Sequence, residues 1–127
     1  MLVSAVIADG PPRRVLEVIR EGRVELVLPR PAVIELRRVL TEKLHVAEDA
    51  VSAIVTLVEE LAVAVPEAPA EVGAISGDTD DDRIIAAALA GAAEVLVSGD
   101  RKHVLPLGRV ATMRILRPQD VLTELGD

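Results

Sequence analysis

Residues 77–100 read GDTDDDRIIAAALAGAAEVLVSGD. Four aspartates, Asp78, Asp80, Asp81 and Asp82, precede a run of small and apolar residues that spacing predicts to be a helix. Val95 to Ser98 then reads as a buried strand, ending on Ser98-Gly99-Asp100. In open α/β sheets, functional groups gather beyond the carboxyl ends of the strands. The order acid, helix, strand, acid therefore brings carboxylates from separate chain positions toward one sheet edge. Such a cluster suits a hard divalent cation.

Working outward, helices and strands alternate. Asp9-Gly10-Pro11-Pro12 is a turn, and Pro12 to Glu21 reads as a helix stopped by Gly22. Val24 to Leu28 reads as a strand and Pro31 to about Leu44 as a helix, with Val33, Leu36, Leu40 and Leu44 along one face. Ala47 to about Leu61 is a further helix, Ala62 to Val65 a short strand, and residues 66–79 a loop. Asp80 or Asp81 opens the helix that runs to about Ala90. Met113 to Leu116 is a strand and Pro118 to Leu125 a closing helix. Leu2 to Ile7 is apolar, and its pattern selects neither type. The alternation predicts one α/β domain over residues 1–127, its parallel sheet flanked by helices.

The chain has 127 residues, half of them apolar, enough for a single domain with a real core. It has no Phe, Tyr or Trp, so Leu, Val, Ile and Ala must build that core. The same absence excludes base stacking on aromatic platforms; a nucleic acid would have to be gripped by its backbone. With no cysteine there is no disulfide, thiol nucleophile or Cys-zinc site. No apolar run approaches the length of a membrane span, and the start has no basic segment before an apolar one. These features favour the cytoplasm and no membrane association.

The formal net charge of −7 argues against a general nucleic-acid binder. Its distribution is uneven. Residues 46–82 carry ten acids and no Lys or Arg, whereas residues 1–45 carry eight Lys/Arg and six acids. Arg13, Arg14, Arg20, Arg23, Arg30, Arg37 and Arg38 either form a solvated mixed-charge surface or rim an acidic pocket as phosphate contacts.

The strings DTDDDRIIAAALAGAAEVLVSGDRKHVLPL and EGRVELVLPRPAVIELRRVL resemble a PIN domain, more narrowly the PIN-family toxin components of toxin–antitoxin pairs. The closing segment ILRPQDVLTEL extends the likeness over nearly the whole chain. The resemblance implies a three-layer α/β fold with a central, mostly parallel sheet. It also implies a magnesium- or manganese-dependent ribonuclease with an acidic pocket, an antitoxin partner, and a homodimer or higher oligomer. By position, Glu35 matches the family's helix glutamate, Asp81 the helix-opening aspartate and Asp100 the aspartate after the strand. Asp82 is the off-by-one alternative to Asp81, and Ser98 stands where a hydroxyl residue is often seen. The family's first strand and its aspartate have no counterpart, because MLVSAVIADGPP aligns beyond them. Either the start is misassigned, or the short form is genuine and its site degraded. A sheet without that strand is expected to close differently or to borrow a strand.

Each residue also has a plainer role. Asp78, Asp80 and Asp82 read as caps or solvated charges at a helix start, worth roughly 1 kcal/mol. Asp100 could serve a turn, Glu35 could pair with Arg38 one turn on, and Ser98 could satisfy backbone. His45 and His103 read as surface residues. Three functional classes follow: a metal-dependent nuclease, a catalytically impaired PIN-like binding or assembly module, and, more distantly, a phosphate-accepting regulatory domain. The last lacks its usual acid pair after the first strand.

Overall fold

The computed structural model describes residues 2–127, with residues 3 and 7 in backbone only. The apolar start is a helix, α1 (Leu2–Ile7). The guanidinium of Arg13 donates to the carbonyls of Ala5 (3.1 Å) and Val6 (2.7 Å), two of the acceptors a helix end leaves open. Helix α2 (Pro11–Arg20) carries proline in its first turn, buries Val15 and Val18, and stops before Gly22, whose φ of 80° an L side chain rarely adopts. Strand β1 (Leu26–Val27) is shorter than its apolar run suggests. Helix α3 (Arg30–Arg38) ends six residues before the expected Leu44. It widens into a π-helical turn, Val39–Lys43, within which Leu40 is fully buried.

Helix α4 (Glu48–Leu61) leads directly into β2 (Ala62–Ala64). Helix α5 (Thr79–Ala90) and β3 (Val95–Val97) follow the loop, as the opening stretch of sequence predicts. A 3-10 turn (Leu105–Leu107) and β4 (Arg109–Val110) were not expected from the pattern, being too short to show a period. Strand β5 (Met113–Leu116) and helix α6 (Pro118–Glu124) close the chain. No described helix is long and apolar enough to cross a membrane.

The central parallel sheet is only partly formed. Strands β1 and β2 pair in parallel as one two-stranded sheet, and β3-β5-β4 form another, β3 with β5 parallel and β4 antiparallel to β5. No hydrogen-bonded pairing joins the two among the described residues, so β1 and β3 are both edge strands. The expected central, mostly parallel sheet is thus shown only in part, as two separate pieces. The apolar start, which could have supplied strand pairing, coils into α1 and satisfies its own backbone.

Packing follows the same division. One cluster gathers Leu28, Val33, Leu36, Leu40, Val51, Val55 and Val58 between β1, α3 and α4. The other gathers Ile85, Ala88 and Met113 between α5 and β5. Burying each larger aliphatic chain stabilises the fold by roughly 1.5–3 kcal/mol. Helix α5 approaches the first sheet closely because its last turn is small. A Cβ added at Gly91 would lie 2.8 Å from both Val27 Cγ1 and Pro66 Cγ. Neither atom ends a flexible chain, so neither moves aside cheaply. Gly91→Ala is therefore expected to destabilise the protein by about 1–3 kcal/mol in chemical denaturation. Gly73→Ala, where an added Cβ meets nothing within 4 Å, stays within about 0.5 kcal/mol of the parent.

Candidate metal centre

A cavity of about 180 Å³ opens beyond the carboxyl end of β3 and is lined by Glu35, Asp81, Ser98 and Asp100. Leu36, Ile85, Leu96 and Val104 supply its apolar walls. Residues 35 and 100, far apart in sequence, meet there because β1 leads into α3 while β3 runs directly to Ser98.

The aspartate cluster divides by role. Asp78 caps α5, its Oδ1 accepting the backbone N–H of Asp81 at 3.0 Å. Asp80 is exposed. Asp82 is buried and does not line the cavity. Its Oδ1 accepts the Ile75 N–H (3.1 Å), the Ser76 N–H (2.7 Å) and the Ser76 hydroxyl (2.7 Å). The Ser76 hydroxyl and backbone N–H hold its carboxyl below the ordinary range. Asp82, the off-by-one alternative, therefore ties the preceding loop to the helix, and Asp81 is the residue that faces the cavity. Sequence spacing could not separate the two, because both belong to the first helical turn. The one relevant signal is Ser76, six residues upstream in a loop that needs an anchor.

Asp100 is held by its own loop. Its Oδ1 accepts the N–H groups of Lys102 (2.8 Å) and His103 (3.0 Å), and its N–H donates to the Ser98 hydroxyl at 3.0 Å. The His103 N–H, then that of Lys102, lowers its pKa. Ser98 thus supports the loop while lining the cavity. His103, expected at the surface, is half-buried and contributes its backbone N–H.

Asp81 moves the other way, its pKa raised from 3.8 to about 6. Burial is the largest cause, followed by a hydrogen bond with Asp100 and the negative charges of Asp78, Asp100 and Glu35. Two carboxyls hydrogen-bonded together share a proton until a cation replaces it. Glu35 lines the same cavity, and no ion pair with Arg38 forms among the described residues. The all-oxygen donor set fits magnesium or manganese, which need only one or two carboxylates beside water. Among the described residues, no three acidic, histidine or cysteine side chains lie close enough together to form a preformed cage. Asp81 and Asp100 are the coupled pair, and Glu35 lines the same cavity and adds its charge to Asp81.

A PIN domain family model matches residues 1–102, about four-fifths of the chain. The chain belongs to the PIN domain family. No curated protein and no solved structure matches it. PIN domains are nuclease-type folds and generally depend on divalent metal. The matched segment contains Glu35, Asp81, Asp82, Ser98 and Asp100, whereas ILRPQDVLTEL lies beyond it. The rim of arginines is less free than its composition suggests. Arg13 caps α1, Arg14 and Arg23 bind Asp127, and Arg30 binds Glu59. Arg20, Arg37 and Arg38 are exposed, the remaining candidates for phosphate contacts in this PIN domain.

Two outcomes follow. Asp82→Ala lowers the melting temperature by several degrees, because three donors lose their acceptor. The folded state binds the Asp81 proton more tightly than the unfolded chain does, so metal-free stability falls as pH rises from about 4 through about 6. Asp81→Asn removes that slope and stabilises the metal-free protein at pH 7 by about 1 kcal/mol, a figure discounted for solvent screening. Denaturation midpoints measured against pH in chelator check both.

Proposed function

We propose that this chain is a metal-dependent endoribonuclease of the PIN family, acting as the toxin of a toxin–antitoxin pair. The observation that carries the nuclease reading is the meeting of Asp81, Asp100 and Glu35 in one cavity at the strand ends, with the pKa of Asp81 raised toward neutrality. Asp81 and Asp100, with Glu35 on the same cavity, would hold magnesium or manganese. When bound, the cation supplies positive charge to the scissile phosphate and acidifies a water beside it. The chain's own carboxylates divide the remaining work. Asp100, locked by two backbone N–H groups, stays ionised and fixed. Asp81, ionised above about pH 6, would join it in holding the cation, and Glu35, on the same cavity, would be the carboxylate available to accept a proton from water. Exposed Arg37 and Arg38, which follow Glu35 on α3, would be the candidate contacts to the RNA backbone.

The toxin assignment, a cognate antitoxin and a homodimeric or higher assembly rest on the resemblance of the DTDDDRIIAAALAGAAEVLVSGD and EGRVELVLPRPAVIELRRVL strings. A cytoplasmic site of action follows from that role. A second reading, a PIN-like binding or assembly module without catalysis, is favoured by one observation: the described carboxylates do not form a three-ligand group.

Asp81→Asn and Asp100→Asn each lower manganese-dependent RNA cleavage by at least roughly 100-fold, with an unchanged far-UV circular dichroism spectrum. Full activity in both variants sinks the site assignment. A parent protein that neither binds manganese saturably nor cleaves RNA establishes the module instead.

A further inference from the structure

Between Asp100 and Leu105 the turn after β3 is anchored repeatedly. Asp100 Oδ1 accepts the N–H groups of Lys102 (2.8 Å) and His103 (3.0 Å), and the Asp100 carbonyl accepts the Leu105 N–H at 2.8 Å. Val104 is buried on the cavity wall. The half-buried His103 ring lies beside the loop before α5, its Nδ1 3.7 Å from where a Cβ at Gly77 would stand. Arg101 and Lys102 are the exposed remainder of the turn. Neither forms an ion pair among the described residues, so their charges hold nothing together within the fold. Helix α3 repeats the arrangement. Arg38 follows Glu35 at about 60° round the helix, nearly one turn on, whereas Arg37 lies about 160° away. Arg38 is exposed and also without an ion pair among the described residues.

Two of the acids that line the cavity are thus each followed closely by exposed, uncommitted cations. A basic side chain near a bound divalent ion is repelled by it, and gains only when an anion comes between. An RNA strand has the opposite difficulty. The chain has a formal net charge of −7, so a polyanion drawn to the cavity crosses a negative surface. Basic side chains beside the cavity reconcile the two, each neutralising a phosphate and releasing its counterion. Without aromatic side chains to stack on bases, the phosphates are the feature of a strand most open to this chain. The anchored turn helps further, because only the two exposed side chains lose freedom on binding.

We propose that Arg101 and Lys102, together with Arg38 on α3, grip the phosphates next to the one brought to the carboxylate cavity. The turn after β3 then has two roles: its backbone fixes Asp100, and its side chains hold the strand. The proposal rests on the nuclease reading for its ligand. Binding is therefore measured apart from cleavage, so that the two fail separately.

A fluorescein-labelled oligouridine is titrated with the protein, with calcium as the divalent cation, between about 50 and 200 mM potassium chloride. Three gripping side chains give a plot of log Kd against log salt with a slope of about 2, at roughly 0.7 per phosphate on a single strand. Changing Arg101→Gln and Lys102→Gln together lowers the slope to about 0.7, and Arg38→Gln alone lowers it to about 1.4. Glutamine keeps the backbone N–H groups that Asp100 accepts, and an unchanged melting temperature shows the turn intact. Arg83→Gln removes the same charge from an exposed residue about 160° round α5 from Asp81, and leaves the slope unchanged. No binding by the parent, slopes untouched by the gripping changes, or an equal fall with Arg83→Gln overturns the proposal. Manganese-dependent cleavage of the same strand is followed in parallel. Binding with the expected slopes but without cleavage keeps the grip and removes the nuclease reading. Cleavage by a parent whose slope ignores the gripping changes keeps the nuclease and removes the grip.

Discussion

The contact of Gly91 with Val27 and Pro66 positions much of the rest. Helix α5 lies close to the first sheet only because no side chain stands at that point. Its other end is fixed by Asp78, which caps it, and by Asp82, which fastens the loop before it. Held at both ends, α5 presents Asp81 to the cavity and Ile85 and Ala88 to the core beneath. A core without aromatic rings must gain its contacts from close backbone approach, and the alanines of α5 with the glycine that follows it allow it.

Asp81 and Asp100 illustrate how environment divides identical groups. Both carboxyls line one small cavity, close enough to act on each other's titration. Asp100 receives two backbone N–H groups and keeps its charge; Asp81 receives mainly burial and the repulsion of neighbouring acids, and holds its proton to about pH 6. Paired carboxyls pushed in opposite directions are a frequent mark of chemistry.

Much of this was legible from residues 77–100. The helix, the strand and the acid beyond it follow from spacing, and the observed α5 and β3 lie within a residue or two of the expected limits. Val24 to Leu28 and Pro31 to Leu44 were legible in type but not in extent. Strand β1 has only two paired residues because one side lacks a neighbour, and α3 widens where Leu40 enters the core. The separation of Asp81 from Asp82 was not legible from spacing, since it depends on where residues 75 and 76 pass. Nor was the division into two sheets: local pattern identifies strands, whereas pairing is settled between distant segments. The unassigned stretch Leu2 to Ile7 could have joined either sheet by composition, and forms a helix instead.

That division gives the carboxylate cavity a mechanical role. Leu36, on its wall, belongs to one hydrophobic cluster, and Ile85, also on its wall, to the other. Separately packed clusters can open as separate cooperative units. A ligand held by Glu35 together with Asp81 and Asp100 would link the two. Its binding energy then appears as stronger coupling of the two units in unfolding, as well as added stability. A cation bound in such an arrangement would bear on whether the domain unfolds in one step or two.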